Sequence, residues 1–248
     1  GVIIQMSEKR FLILGDGLLG TEMIKQTGWR YFSRKKDGID ITQTSTYINL
    51  LRNYTHVINC IGYTNTRDNT RDKHFDVNVK GAYYLAEACK GFRIKLIHIS
   101  TDYVYANSPD KAKETDVPLP VANWYGQSKV MADSIIQAVI PNEQEYLILR
   151  GTFKTRPYPY DKAWSNLVGN FDYVDVMASL FIKLIQNDAC GIYNVGTERK
   201  SLFTLAQQTK PDVMPHDDTY ETNKYIRPYW TEMDLTKMHN FFKEKGIE

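Results

Sequence analysis

Phe11-Leu12-Ile13-Leu14-Gly15-Asp16-Gly17-Leu18-Leu19-Gly20 is the stretch on which the fold turns. Its apolar opening reads as a buried parallel strand. Leu18 to Gln26 reads as a helix that Gly28 stops. Between them the glycines fit G-x-G-x-x-G, and fifteen glycines in 248 residues give only about 0.05 such matches by chance. In a strand–turn–helix setting each glycine has a task. Gly15 permits the turn, Gly17 lets the backbone approach a pyrophosphate, and Gly20 lets helix and sheet pack closely. Asp16, Leu18 and Leu19 complete the turn, and the helix N-terminus offers free N–H groups and a positive dipole to phosphates.

Outward from this unit the same alternation continues. Trp29 to Ser33, His56 to Ile61, Lys95 to Ser100 and Tyr146 to Leu149 read as strands; Asp72 to Lys90 and Tyr125 to Val139 read as helices, and Thr46 to Tyr54 as weakly helical. Alternating strands and helices imply βαβ units with right-handed crossovers. The expected fold is α/β, a Rossmann-like doubly wound parallel sheet with a small C-terminal substrate lobe. Ligands of such sheets bind beyond the carboxyl ends of the strands. That singles out Gly15, Ser33, Cys60 to Tyr63, Ser100 to Tyr103 and Arg150 to Phe153. From Thr152 the texture changes to a loop rich in proline and tyrosine, Arg156 to Tyr160, followed by a helix at Val174 to Ile185 and a strand at Ile192 to Val195. The division expected is 1–150 for an NAD(P)-binding domain and 151–248 for the lobe, with 171–200 returning to the core.

Composition excludes several classes. Hydrophobic residues are 42% and charged residues 24%, which rules out wholesale disorder. A formal charge of +2 makes no electrostatic case for nucleic acid. Three cysteines, Cys60, Cys89 and Cys190, argue against a disulfide framework. No apolar run reaches the ~18 residues of a membrane span. Residues 1–5 lack a basic segment and a long apolar stretch, so no signal peptide is expected, and Met6 reads as a native start. The cytoplasm is the expected compartment. The five histidines show no metal-ligand spacing, so no metal is expected.

The second strand ends at Ser33-Arg34-Lys35-Lys36, where an NAD site usually carries an acid for the ribose hydroxyls. Cations there suit the 2′-phosphate of NADPH, through Arg34 or Lys35, with NADH as the alternative. Tyr-x-x-x-Lys occurs four times, at Tyr31/Lys35, Tyr125/Lys129, Tyr158/Lys162 and Tyr220/Lys224. Tyr31 lies in a strand, and Tyr158 and Tyr220 in segments that read as irregular. Tyr125/Lys129 opens a helix, so both side chains share a face, and it follows the hydroxyl-bearing strand end at Ser100-Thr101. An ordinary phenol has a pKa near 10, and a neighbouring ammonium is expected to lower it. The Thr101 hydroxyl is placed to hold a substrate oxygen for Tyr125.

These segments together resemble the extended short-chain dehydrogenase/reductase family, and within it the dTDP-4-dehydrorhamnose reductase subgroup. The resemblance rests on Gly15 to Gly20, Asp40-Ile41-Thr42, Val57 to Thr64, Ser100 to Tyr105 and Tyr125 to Lys129, with later echoes at Tyr173 to Val176, Gly191 to Gly196 and Arg227-Pro228. It implies an NADPH-dependent reductase of a nucleotide-linked 4-keto-6-deoxy sugar, with Thr101, Tyr125 and Lys129 as the catalytic trio. It implies Asp40 and Ile41 by the adenine, and Cys60, Ile61, Gly62 and Tyr63 along the ribose and pyrophosphate. Asn78 would stand behind the site, and Gly151, Thr152 and Phe153 would line the nicotinamide pocket. Asp102, Tyr103 and Trp164 join Thr101 and Tyr125 as substrate contacts, although Trp164, Tyr158 and Tyr160 serve equally as lobe packing. Relatives often dimerise through helices, which makes a homodimer the expected assembly. There are departures. The glycine turn is one residue shorter than the usual G-x-x-G-x-x-G, and Thr152 to Asn170 is much shorter than its counterpart, which bears on the substrate. Asp102-Tyr103 replaces the Asp-Glu of dehydratases. Two alternatives remain open: a sugar-nucleotide 4-epimerase with tightly bound NAD, and a non-catalytic NADP-binding regulatory subunit.

Overall fold

The computed structural model describes residues 8–108 and 110–248; the reading of residues 1–6 as a start without a leader lies outside them. Six strands form one parallel sheet: β1 (Phe11–Leu14), β2 (Arg30–Phe32), β3 (His56–Asn59), β4 (Lys95–Ile99), β5 (Tyr146–Arg150) and β6 (Gly191–Asn194). Their spatial order is β6-β5-β4-β3-β1-β2. The order reverses between β1 and β3, which is the switch point expected to hold a ligand.

Strand alternation sorts side chains to two faces. Ile13, Ile58, Ile97 and Leu147 share one core with α1 (Leu18–Thr27) and a late helix. Leu12, Val57, Leu96 and Ile148 share the other with Leu85 and Ile136. Those last two come from α2 (Gly81–Phe92) and α3 (Trp124–Val139). The late helix is α4 (Val174–Gln186), which packs on α1, and α5 (Thr236–Lys245) packs near β6. Both faces are covered, as a parallel sheet requires.

Several boundaries differ from expectation for local reasons. β3 stops at Asn59 because the Asn59 side chain accepts the Ile61 N–H at 3.1 Å and turns the chain. Thr46 to Tyr54 is two 3₁₀ turns rather than a helix. The helix expected over Asp72 to Lys90 runs from Arg71 to Phe92, but Phe75–Lys80 is π-helical. Tyr220 lies in a one-turn helix, Tyr220–Asn223, not in an irregular segment. Lys224 then leaves that turn in the left-handed region at φ 57°. Tyr220 is 48% exposed, so this pair has no enclosed site to serve.

Residues past β5 build a second, smaller core from Tyr158, Leu167, Phe171, Tyr173, Leu202 and Leu205. Short strand pairs frame it: Lys162–Trp164 with Met214–His216, and Val168–Gly169 with Lys200–Ser201. Among the described residues no helix is long and apolar enough to cross a membrane.

Candidate active site

The glycine turn shows three different constraints. Gly15 has φ +102°, a conformation that favours glycine, and its N–H donates to the Phe32 carbonyl at 2.9 Å. A Cβ on Gly20 would stand 2.0 Å from the Gly15 carbonyl oxygen, so only glycine lets α1 sit this close to the turn. A Cβ on Gly17 would meet no protein atom within 4 Å. Gly17 therefore leaves open space beside the turn. Among the described residues no side chain caps α1, so its first N–H groups stay available to an anion.

These groups open on a cleft of about 450 Å³. Gly17, Leu18 and Leu19 form one wall, and Cys60, Ile61 and Gly62 stand beside them. Thr101, Tyr103, Tyr125, Lys129, Gly151, Thr152, Phe153 and Trp164 complete the part that sequence reading picked out. The Cys60 thiol is pushed up to about 12 by burial and touches Met23 Sδ at 4.0 Å, so it stays protonated.

Tyr125 enters from the first turn of α3, which Asn123 caps by accepting the Gly126 N–H at 2.8 Å. Thr101 lies at the end of β4, and its Oγ1 stands 3.2 Å from Thr152 Oγ1 at the end of β5. Lys129 follows Tyr125 by one turn and is 6% exposed. Its expected effect on Tyr125 is corrected by the structure. Lys129 Nζ donates to the Ile99 carbonyl at 2.9 Å. Burial pushes Tyr125 up to about 12, and the hydroxyl of Thr101 is what pulls it back. Burial also lowers the Lys129 ammonium, while Asp133 one turn further supports its charge.

Other expected contacts stand away from the cleft lining, each held by its own partners. Ser33 is buried and accepts the Lys36 N–H at 3.0 Å, capping the one-turn helix Arg34–Asp37. Its hydroxyl is thus spent on the backbone. Arg34 and Lys35 are exposed on that turn. Asp40 Oδ1 accepts both the N–H and the hydroxyl of Thr42, at 2.9 and 2.6 Å, and Ile41 is buried against Gly81. The Asp16 side chain is exposed. The Tyr63 hydroxyl donates to Asp68, which turns the ring off the cleft. Asn78 accepts the Tyr63 N–H at 2.8 Å and donates to the Tyr63 carbonyl and Ser128 Oγ, each at 3.0 Å. It positions the loop after β3. Asp102 is buried under the floor rather than facing the cleft.

Sequence reading missed Thr64, Thr66, Arg67, Ile99, Lys154 and Tyr225, all of which line the cleft. Isolated cations such as Arg67 and Lys154 carry no pattern. Tyr225 reaches the site from the far end of the chain, donating to Thr66 Oγ1 at 2.7 Å across 159 residues. A second cavity of about 670 Å³ shares Arg67, Lys154 and Trp164 with the first and adds Tyr158, Tyr160 and Lys162. Trp164 also packs on the buried Arg227 guanidinium at 4.2 Å, so it serves as both cleft wall and lobe core.

A doubly wound sheet, with a glycine turn leading into its first helix and Thr101, Tyr125 and Lys129 at one strand-end cleft, defines a Rossmann-like α/β fold. The RmlD substrate binding domain model matches residues 9–155, and the chain belongs to that family. It is 30% identical over 146 residues to dTDP-4-dehydrorhamnose reductase of Mycolicibacterium smegmatis, covering 56% of this chain and 45% of that one. It is 35% identical over 120 residues to a probable low-salt glycan biosynthesis reductase of Haloferax volcanii, covering 46% and 39%. The matched region thus spans about half the length of these curated relatives. Among solved structures, a dTDP-4-dehydrorhamnose reductase of Clostridium acetobutylicum aligns with TM-score 0.80 at 21% identity, over 94% of this chain and 92% of that one. One from Bacillus anthracis in complex with NADP aligns with TM-score 0.79 at 22% identity, over 98% and 94%. These structural likenesses establish the fold.

Proposed function

We propose that the protein is an NADPH-dependent reductase of a nucleotide-linked 4-keto-6-deoxy sugar. The observation that carries this reading is the convergence of Thr101, Tyr125 and Lys129 on the cleft that begins at Gly17. The names of the curated relatives support it, as does the NADP in the Bacillus anthracis structure. The residues present fit the dinucleotide: Gly17 leaves room for a pyrophosphate, α1 offers its N–H groups, and Arg34 and Lys35 are free for a 2′-phosphate. When bound, the dinucleotide supplies the hydride. The chain's own residues do the rest. Thr101 holds the carbonyl oxygen, and Tyr125 gives it a proton as charge develops. Lys129 anchors the helix face to the strand end at Ile99. Lys129 also lines the cleft. Arg67 and Lys154 line both cavities and Lys162 the second, a placement of basic side chains that suits the diphosphate of a nucleotide sugar.

In this reading residues 1–150 hold the dinucleotide and 151–248 shape the sugar end, with 171–200 in the core. Work in the cytoplasm and assembly as a homodimer belong to the same proposal. The test is NADPH oxidation with dTDP- and UDP-4-keto-6-deoxyglucose and their 3,5-epimerised forms. Turnover is expected with at least one, and Tyr125→Phe is expected to lower kcat by about 100-fold or more with NADPH binding kept. NADPH bound without turnover of any of them would sink these substrates. Protein purified with NAD tightly held would favour the epimerase instead.

A further inference from the structure

Two successive turns of α3 hold two successive residues at the end of β4. Lys129 Nζ donates to the Ile99 carbonyl at 2.9 Å. One turn further along α3, Asp133 Oδ2 accepts from Ser100 Oγ at 2.8 Å. The next residue of the chain is Thr101, which lines the cleft together with Tyr125 from the first turn of the same helix. Asp133 Oδ2 also accepts from Arg150 Nε at 3.0 Å. Arg150 ends β5, and Gly151 and Thr152 beyond it line the cleft as well. One carboxyl oxygen thus gathers the helix that carries Tyr125 and the two strands that lead to the threonines.

The backbone does not hold these strand ends by itself. β4 and β5 pair in register as far as Ile99 and Leu149, and the ladder closes with the Ser100 N–H donating to the Leu149 carbonyl at 2.8 Å. Among the described residues no main-chain bond joins Thr101 to Gly151 or Thr152. Side chains span the gap instead. Thr101 Oγ1 and Thr152 Oγ1 stand 3.2 Å apart at the cleft, and the Asp133–Arg150 pair lies one residue back along each strand. The far side of Thr101 returns to the same pair. Arg150 Nη1 donates to the Tyr105 hydroxyl at 2.6 Å, and Tyr105 closes the 3₁₀ turn Asp102–Tyr105 that follows Thr101. Thr101 is therefore bracketed by Ser100 and Tyr105, one bonded to Asp133 and the other to Arg150. Asp133 is 1% exposed and Arg150 2%, and neither lines the cleft.

We propose that Asp133 and Arg150 are positioning residues that set how Thr101 and Thr152 meet Tyr125 at the cleft. The inference rests on the reductase reading above. A buried ion pair returns little net stability over apolar packing. What this pair supplies is placement, because its partners come from one helix and two strand ends that the sheet ladder no longer joins. Asp133 acts through Ser100 and Arg150, and Arg150 acts through Tyr105; neither touches substrate. Ser100 itself lines the cleft, but its hydroxyl is spent on Asp133. Reaction rate responds steeply to such placement, since a shift of ~1 Å at the reacting groups costs about 100-fold.

The experiment uses the full chain with NADPH and the keto sugar it reduces. Ser100→Ala removes one arm and leaves the buried ion pair whole. It is expected to lower kcat about tenfold or more, with KM for the sugar and Kd for NADPH within about twofold of wild type. Asp133→Asn is expected to lose more. Adding Ser100→Ala to it is expected to cost nothing further, because Ser100 acts through Asp133. If Asp133→Asn does not fold, Ser100→Ala alone decides. Ser100→Ala with wild-type kcat, or losses that multiply in the double variant, would overturn the positioning role and leave the reductase reading standing. A second measurement needs no substrate. In a crystal structure of Ser100→Ala the contact between the Thr101 and Thr152 hydroxyls is expected to lengthen beyond hydrogen-bond reach. A contact kept as in wild type ends the proposal whatever the enzyme reduces. If wild type turns over none of the keto sugars, the substrate reading falls, and the crystal structure decides the positioning role by itself.

Discussion

Gly17 and Gly20 stand in one turn and answer to different demands. At Gly20 the demand is internal, because any Cβ collides with the Gly15 carbonyl. Gly20→Ala is expected to cost about 1–3 kcal/mol in urea unfolding, the usual penalty for overpacking. At Gly17 the protein leaves the space open, and its φ of −68° suits alanine. Gly17→Ala is expected to unfold within ~0.5 kcal/mol of wild type, yet to bind NADPH about tenfold more weakly, a change of ~1.4 kcal/mol. Equal NADPH affinity in the two proteins would show that the pyrophosphate does not lie over Gly17. Arg34 poses a similar question at the ribose end. Losing a charge-assisted hydrogen bond costs ~1.5–3 kcal/mol. Arg34→Glu should therefore lower the preference for NADPH over NADH by about tenfold or more in kcat/KM. A ratio that does not move would put the 2′-phosphate on Lys35 or elsewhere. At this scale the sequence was readable for placement, as in the glycines at a strand–helix turn and Tyr125 and Lys129 one turn apart at the start of a helix. It was not readable for side-chain direction. Lys129 turns to Ile99, Ser33 to its own helix and Tyr63 to Asp68, choices made by the nearest partner in space.

The sheet's polar strand ends form a unit that no single strand reveals. Asn59, His98, Arg150 and Asn194 are buried near the carboxyl ends of β3, β4, β5 and β6. Asp133 from α3 joins them, accepting from Ser100 Oγ at 2.8 Å and from Arg150 Nε at 3.0 Å. Arg150 continues to the Tyr105 hydroxyl at 2.6 Å, and Tyr105 to Asn194 Oδ1 at 2.7 Å. His98 shares the row: Nδ1 is 3.4 Å from Asn59 Nδ2, while Nε2, 3.9 Å from Asp133 Oδ1, is buried with no hydrogen-bond partner among the described residues. One ring nitrogen of this buried histidine is thus paired and the other is not. Burial keeps His98 neutral, its pKa well below 6.5. Burial likewise lowers His56, at the start of β3, to about 4. Both imidazoles refuse a proton that the unfolded chain accepts. Stability is therefore full above about pH 6.5 and is lost as pH falls from there toward about 4. The urea midpoint is expected to drop between about pH 7.5 and about pH 5.5, with a shallower drop in His56→Leu. A midpoint that does not shift over this range would mean these histidines take up protons in the folded state. The helices and strands of this layer were legible from apolar periodicity. The π-helical stretch was not, because Asn78 earns its place there through Tyr63 and Ser128, neither of which is near in sequence.

Across the whole molecule, segments far apart in the chain meet along the cleft wall. Tyr225 donates to Thr66, its ring lies 4.7 Å from the Arg67 guanidinium, and it stacks on Trp164 with centroids 6.4 Å apart. Tyr225→Phe removes the hydrogen bond and keeps the stacking. It is expected to raise KM for the sugar roughly two- to tenfold, the weight of about 0.5–1.5 kcal/mol, with KM for NADPH little changed. An unchanged sugar KM would show that this contact does not shape the sugar end. By itself the sequence determined the doubly wound sheet, the glycine turn and the helical placement of the Tyr/Lys pair, because each rests on a periodicity or a spacing within one βα unit. Only the tertiary structure decided which strand-end residues face the cleft, that Asp102 lies beneath it, and that Thr66, Arg67, Lys154 and Tyr225 enclose it. Those outcomes depend on packing between segments far apart in the chain, and nothing in a local pattern encodes which distant partner a side chain meets.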